Sequence, residues 1–391
     1  MNELSNQLDS FGPLKELVLD ESVEEIWINT PSRVFIARSG CSELTNLVLS
    51  KEVVHDLIER LLIWGGRRLD VSNPFVDARL PDGSRLHVAI PEVTASHWVV
   101  NIRKHINRGN SLEDLLKTNI DLLVVASANQ SHAEQAVAGL KAGIPVVVDK
   151  PMGRTLKETE EIIAVSKQSG VGVSTYFNRK WDSDALTIKK IISEGLLGKI
   201  FRLESRFEVF RPQLKGGWRE NKDVEQGGGN LLDLQPHLIS TALDWFGPAQ
   251  LISASVRAIR GGSDDDIVLT LKHQSGIDSY LSASAIMGSA GPRIRLVGDK
   301  ATLIIKELDP QESLLRSGVM PKDGKWQQST KSAAFIHTGD QVVEYQSVDG
   351  NYTQYYLEVK NALAGGKWPV SVEEALAVAK IIDQAREISF R

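Results

Sequence analysis

The sequence predicts an α/β chain that carries half of a doubly wound parallel sheet, continues into a mostly antiparallel α+β region, and is preceded by a separate α+β domain. Three observations predict this. Between residues 119 and 176, short apolar runs alternate with amphipathic helical patterns as strand, helix, strand, helix, strand. After Phe177 the chain turns to strands and loops. Before residue 105 the pattern is again different, with alternating strands around one long amphipathic helix. The domains are accordingly drawn at 1–110, 111–178 and 179–391.

In the first domain, Glu25–Asn29 and Val34–Ala37 read as paired strands around the turn Thr30-Pro-Ser-Arg33. Ser50 opens a helix with Val53, Val54, Leu57, Ile58, Leu61 and Leu62 on its apolar stripe. Pro74–Leu80 and Leu86–Ile90 flank the turn Pro81-Asp-Gly-Ser84, and His97–Arg103 is a further strand. In the second, Ile120–Ala126 is nearly all apolar, as in a strand buried on both faces. Ser131 with Glu134, and Thr155 with Glu158, are capping boxes, and Gly143 and Gly170 stand where left-handed residues end helices. Pro145–Val148 and Val171–Tyr176 are the next two strands. In the third, strands are expected at Lys199–Val209, Leu251–Ala258, Ile267–Leu271, Asp278–Ala285 and Ala301–Lys306. Ser371 with Glu374 caps a last helix, and Asp264-Asp-Asp266 reads as a solvated turn.

Composition excludes several function classes. With 42% apolar and 24% charged residues the chain reads as a soluble globular protein. A net charge of −5 gives no reason to expect nucleic acid or an anionic membrane as partner; the pair Arg67-Arg68 is too short to argue otherwise. One cysteine, Cys41, leaves no internal disulfide and no multi-cysteine metal site; no metal is expected. No basic flank or apolar stretch marks Met1–Ser10 as a leader, and no run approaches the length of a membrane span. The expected location is cytoplasmic.

In a doubly wound sheet, ligands sit beyond the carboxyl ends of the strands. Two loops fall there: Ser127-Ala-Asn-Gln-Ser-His132 and Asp149-Lys150-Pro151. Position alone leaves open whether Lys150 points into that crevice or is a surface lysine; His132 reads as a first-turn residue that packs locally. Further on, Gly227-Gly-Gly-Asn-Leu-Leu-Asp-Leu-Gln-Pro-His237 places Asp233 and His237 four apart, on one face of a continuous helix. A carboxylate that holds one imidazole nitrogen suits a general base. On spacing alone the better reading is Asp233 as an N-cap and His237 as an interior histidine, because Pro236 fits comfortably only near a helix start.

These segments, in this order, resemble the Gfo/Idh/MocA oxidoreductases from about residue 111 to 391. The carriers are Ser111–Leu116, Asp121–Asn129 with His132, Ala142-Gly143 leading to Asp149-Lys150-Pro151, Phe177-Asn-Arg-Lys-Trp-Asp182, Gly195–Ile200 and Gly227–His237. The resemblance implies a Rossmann-like cofactor domain, NAD or NADP as cofactor, and a sugar, polyol or related hydroxy compound as substrate. It implies Lys150, Asp233 and His237 as the catalytic group, with Asp233 orienting His237 and Lys150 polarising the substrate oxygen. Ser127, Ala128, Asn129, Asp149, Lys150 and Arg179 are the implied cofactor contacts; Trp218 and Arg219 are expected to line the substrate pocket, and Trp181 is expected only to pack there. Gln235 and Ser240 depart from the family's usual glycine and aspartate, which puts substrate contacts there in doubt.

The larger departure is at the front. No Gly-x-Gly-x-x-Gly occurs between residues 1 and 118, so the turn that would approach the cofactor's pyrophosphate is missing. Residues 1–105 instead resemble the N-terminal domain of secretion ATPases of the type II, type IV and tight-adherence pilus machines, through Val23–Asn29, Asp77–Arg85 and Asn101–Lys104. That implies docking to a secretion assembly; without a motor domain or P-loop, ATP hydrolysis is not expected. The seam falls between about 104 and 119. Strand 120–126 is left as an edge, from which a dimer, another homo-oligomer or aggregation is expected.

Overall fold

The computed structural model describes residues 11–38, 40–65, 69–80, 83–94, 97–104, 111–220, 226–321, 326 and 333–389. Met1–Ser10, the pair Arg67-Arg68, Pro81 and Asp82 of the expected turn, and residues 105–110 of the seam lie outside the described residues. The chain divides into two compact units between Ser111 and Leu112.

The first unit is a six-stranded antiparallel sheet under one long helix. Its strands are β1 (Glu25–Thr30), β2 (Arg33–Arg38), β3 (Cys41–Leu44), β4 (Phe75–Arg79), β5 (Arg85–Ala89) and β6 (Val99–Arg103), in the order β3-β2-β1-β6-β5-β4. Alternate residues such as Ile26, Ile28, Val34, Ile36, Leu86, Val88, Val100 and Ile102 turn inward. They meet Val54, Leu57, Ile58 and Leu61 of α1 (Lys51–Gly65). Ser50 Oγ accepts from Val53 N at 3.3 Å, as a helix start requires. Strand β3 gave no sequence signal because all four of its residues are exposed and none alternates.

The second unit opens with a parallel sheet, β7 (Leu123–Val125), β8 (Val146–Asp149) and β9 (Val173–Tyr176), in that order, with α2 (His132–Lys141) and α3 (Leu156–Ser169) in the crossovers. Strand β8 is buried on both faces: Val146 and Val148 face Leu140, Ile162 and Ile163, while Val147 joins the core of the next layer. Strand β7 is the sheet's edge, shorter than expected, and its Val124 is 46% exposed. Thr155 accepts from Glu158 N at 3.1 Å and Gly170 takes φ 68°, so α3 begins and ends as its sequence predicts. Ser131 does not cap α2. It is the last residue of a 3-10 turn, Asn129–Ser131, with helical φ and ψ that turn its side chain from the amides.

The remaining layer is an eight-stranded sheet. In chain order its strands are β10 (Ile200–Glu208), β11 (Ala249–Arg257), β12 (Asp266–His273), β13 (Asp278–Ser284), β14 (Ile294–Gly298), β15 (Thr302–Ile305), β16 (Ala334–Thr338) and β17 (Gln341–Tyr345). Spatially they run β11-β12-β13-β10-β14-β15-β16-β17. Every neighbouring pair is antiparallel except β10 with β13. Helices α4 (Ser183–Glu194), α5 (Asn230–Asp233), α6 (Gln235–Phe246), α7 (Thr353–Leu363) and α8 (Val372–Ser389) belong to this part, together with a short helix at Gln311–Arg316. Residues on the two sides of the boundary expected at 178 cluster in one compact unit, and α8 returns to the parallel layer. Asp383 accepts from Leu156 N at 2.8 Å, Ser174 Oγ donates to the carbonyl of Val370 at 3.0 Å, and Ala375 lies in the parallel layer's core.

The Asp264–Asp266 run is not a solvated turn. Asp265 is 1% exposed, accepts the amides of Ile259 and Arg260 and pairs with the Arg260 guanidinium; Asp266 pairs with Arg257. Asp264 accepts from Leu231 N at 2.6 Å and so satisfies a free amide at the start of α5.

Candidate active site

The carboxyl ends of β7 and β8 and the short helix α5 converge on one place. Lys150, directly after β8, is 14% exposed, and its Nζ donates to Asp233 Oδ1 and to the Asp233 carbonyl, both at 2.5 Å. The peptide between Lys150 and Pro151 is cis. The backbone amide of Lys150 donates to Asp149 Oδ1 at 2.8 Å, so Asp149 shapes the turn that delivers the lysine. Burial alone would raise the Asp233 pKa. The Lys150 ammonium outweighs it, with Arg219 and Arg211 adding to the effect, and holds the carboxyl below its ordinary value. Arg219 stands with Nε 3.9 Å from Asp233 Oδ1 and its guanidinium 4.3 Å from the centre of the Trp218 ring. The expected substrate residues Trp218 and Arg219 therefore border the Lys150–Asp233 pair.

Asp233 and His237 do not share one helix. Pro236 falls in the first turn of α6, and Leu234, at φ −109°, separates it from α5. His237 is 6% exposed; its Nδ1 has no hydrogen-bond partner, and its ring meets Phe207 edge-on at 6.2 Å. Asp233 gives its carboxylate to Lys150, so the orientation of His237 comes from packing and not from an aspartate bond. Burial, and then the charges of Lys150, Arg179 and Arg293, hold the imidazolium well below the usual histidine range. At neutral pH the ring is uncharged and has an unprotonated nitrogen to offer.

The glycine triplet is explained by what surrounds it. Gly229 takes φ 92°, and a Cβ there would stand 2.1 Å from Asp264 Oδ2. Gly227 takes φ 71°, and a Cβ there would stand 2.9 Å from Asn129 Cβ. The loop is pressed between β7's turn and Asp264, and only glycine fits both places.

The expected cofactor contacts separate. Ser127 is exposed, with Oγ donating to Gln135 at 2.7 Å, and Ala128 follows it in extended conformation. Asn129 is 6% exposed and donates Nδ2 to the Gly227 carbonyl at 2.7 Å. Arg179 is held by its own partners: its guanidinium is buried against Asp182, Glu312 and the Tyr352 hydroxyl, from where its charge acts on His237. Lys180 of the same turn binds Glu374 and Asp244, and Trp181 packs in the core. Gln235 and Ser240 are fully buried and donate to the carbonyls of Leu281 and His237. Arg211, whose charge acts on Asp233, and Asp264, which fixes the start of α5, carried no motif that sequence reading could find. Among the described residues no cluster of three metal-ligating side chains occurs, and no helix is long and apolar enough to cross a membrane.

Comparison with known proteins gives two family matches. Residues 87–177 match the oxidoreductase family with an NAD-binding Rossmann fold, and residues 185–304 match the GFO/IDH/MocA C-terminal domain. The first match reaches back into β5 and β6, which the structure places in the six-stranded sheet. The scyllo-inositol 2-dehydrogenase (NADP(+)) IolW of Bacillus subtilis is 34% identical over 278 residues, 69% of this chain and 77% of that protein. Among solved structures, the oxidoreductase yvaA of Bacillus subtilis is 32% identical with TM-score 0.65, over 72% of this chain and 83% of that one. An oxidoreductase from Klebsiella pneumoniae is 34% identical with TM-score 0.65, over 72% of this chain and 79% of that one.

Proposed function

The chain belongs to the Gfo/Idh/MocA oxidoreductases, and from that premise we propose that it is an NAD(P)-dependent dehydrogenase of a cyclic polyol or sugar, acting through Lys150, Asp233 and His237. The observation that carries the reading is the Lys150–Asp233 pair at the carboxyl end of β8, close enough for its ammonium to act on a buried, neutral His237. NAD(P), when bound, supplies the hydride acceptor or donor. Lys150 donates a hydrogen bond to the substrate oxygen and stabilises charge on it; Asp233 keeps the ammonium aimed. His237 takes the hydroxyl proton on its unprotonated nitrogen. Trp218 and Arg219 offer a stacking face and a forked donor to a polyol's hydroxyls, and the relative at 34% identity is named for an inositol.

The residues fit one end of the cofactor only. Loop 127–129 and Lys150 suit the nicotinamide end, whereas the parallel sheet begins at β7 and the chain holds no Gly-x-Gly-x-x-Gly turn for the pyrophosphate. Each charge-assisted hydrogen bond lost there costs about 1.5–3 kcal/mol, so affinity of about millimolar is expected. The alternative this favours is a docking protein, in which a first unit of the secretion-ATPase N-terminal type binds its machine and the oxidoreductase part is a relic. A homo-oligomer in the cytoplasm suits either reading, since the outer face of the eight-stranded sheet exposes Val268 and Tyr280.

The test is a titration of the purified chain with NADH and NADPH, followed by a screen of inositols and aldoses with Lys150→Ala and His237→Ala as controls. Saturable binding with polyol-dependent turnover lost in both variants supports the enzyme. A folded chain that shows neither binding nor turnover at several millimolar cofactor overturns it and leaves the docking reading.

A further inference from the structure

Two buried side chains outside the reacting group tie together the loops that carry it. His132, 1% exposed, has Nδ1 2.8 Å from the carbonyl of Pro151 and Nε2 3.2 Å from that of Ser127. Carbonyl oxygens only accept, so the ring is the donor, and its shorter contact runs to Pro151. Pro151 directly follows Lys150. Three residues before His132, in the same turn, Asn129 donates Nδ2 to the Gly227 carbonyl at 2.7 Å. The chain runs from Gly227 straight into α5, which ends at Asp233.

We propose that Asn129 and His132 are positioning residues: one turn after β7 holds the Lys150 loop with His132 and the Asp233 loop with Asn129, and so sets the ammonium against the carboxylate. The tethers form a closed circuit, from Asn129 through Gly227 to Asp233, across to Lys150, and back through Pro151 to His132. The Asn129 side-chain amide is thereby assigned to the circuit. Both ends of the ion pair are measured from one rigid point, because the turn is fixed by β7 and α2 and sits in the packed parallel layer. The proposal takes the site as read above, but its geometry stands whether or not the chain turns over a substrate.

Competitive acylation of Lys150, read by mass spectrometry on the whole chain with no cofactor present, tests it without relying on activity. His132→Asn keeps a donor where Nδ1 stands, and His132→Gln keeps one where Nε2 stands; Asn129→Asp keeps the shape and loses the donor. Labelling of Lys150 is expected to rise about fivefold to tenfold in His132→Gln and Asn129→Asp, the change one lost hydrogen bond produces, and to stay at the wild-type rate in His132→Asn. Ile162→Val, in the same core, controls for simple loss of stability and should leave labelling unchanged. Equal labelling in His132→Asn and His132→Gln, or rates that only follow the melting temperature through Ile162→Val, would overturn it. A chain inactive with every polyol, yet with labelling as expected, would refute the dehydrogenase and leave the circuit standing.

Discussion

Lys150 grips Asp233 at two points, donating from one ammonium to the carboxylate and to the backbone carbonyl of the same residue, each at 2.5 Å. The double contact fixes direction as well as distance, and it leaves the ammonium with one further hydrogen to give. Replacing Lys150 by Met removes the donor and should lower turnover about 10²–10⁴-fold. Asp233→Asn keeps the shape while freeing the ammonium to drift, which should cost about tenfold to a hundredfold in kcat. Steady-state rates for the two variants decide this; wild-type turnover in Asp233→Asn would show that the carboxylate only fills space.

A neutral His237 has consequences for pH. Its pKa in the folded chain is held below the ordinary 6.5. The unfolded chain therefore binds the proton first, and stability present above pH 6.5 is lost as pH falls through that value toward the folded pKa. The rate should likewise hold steady down to about pH 6.5 and fall only on further acidification. His237→Gln should remove the acid-side slope from the melting temperature. A rate that already declines between pH 8 and 7 would contradict the depressed pKa.

What could be read beforehand follows from how local each signal is. Thr155 and Ser371 accept from the amides of Glu158 and Glu374 within one helical turn, the half of each capping box that forms, while the Glu158 carboxylate turns to Arg154 and that of Glu374 to Lys180. Ser131 has the same spacing and fails, because the turn ahead of it closes as a 3-10 helix under the pull of Asn129 toward Gly227, 98 residues away. Lys150 was legible as the residue after a buried strand, but its partner was not: Asp233 arrives from a distant loop, and pairing it with His237 assumed a helix that Pro236 interrupts. Strands β14, β16 and β17 passed unnoticed beside stronger neighbours, since β17 has four exposed residues in a row and shows no alternation.

The Gly227–Gly229 loop offers a direct test of packing around the site. At Gly229, φ 92° is open to glycine and strained for other residues, and an added Cβ would meet the Asp264 carboxylate at 2.1 Å. Gly229→Ala should cost about 1–3 kcal/mol of stability. It should also shift α5, whose first amides depend on Asp264, and so lower turnover beyond what the stability loss explains. Thermal unfolding and rates on the folded fraction separate the two effects, and an unchanged melting temperature would sink the account.

Asp264 itself titrates where it can be watched. Burial first, and the neighbouring Asp265 charge to a lesser degree, push its pKa up to about 6 from an ordinary 3.8, against the amide of Leu231 and the charge of Arg386, which pull it down. A folded pKa above the unfolded one means that the folded chain binds the proton more tightly. The stability this gives is complete below about pH 3.8 and disappears as pH rises through about 6. At neutral pH the charged carboxylate is therefore a net burden on the fold, even as it caps α5. Asp264→Asn keeps an oxygen for the Leu231 amide and drops the charge. Relative to wild type it should gain stability steadily from pH 4 to pH 7, by about 2 kcal/mol at most, or several degrees in melting temperature. Melting curves for both proteins across that range measure the difference. A gap that stays constant with pH would mean that Asp264 is already ionised at pH 4 and that its burial costs the fold nothing.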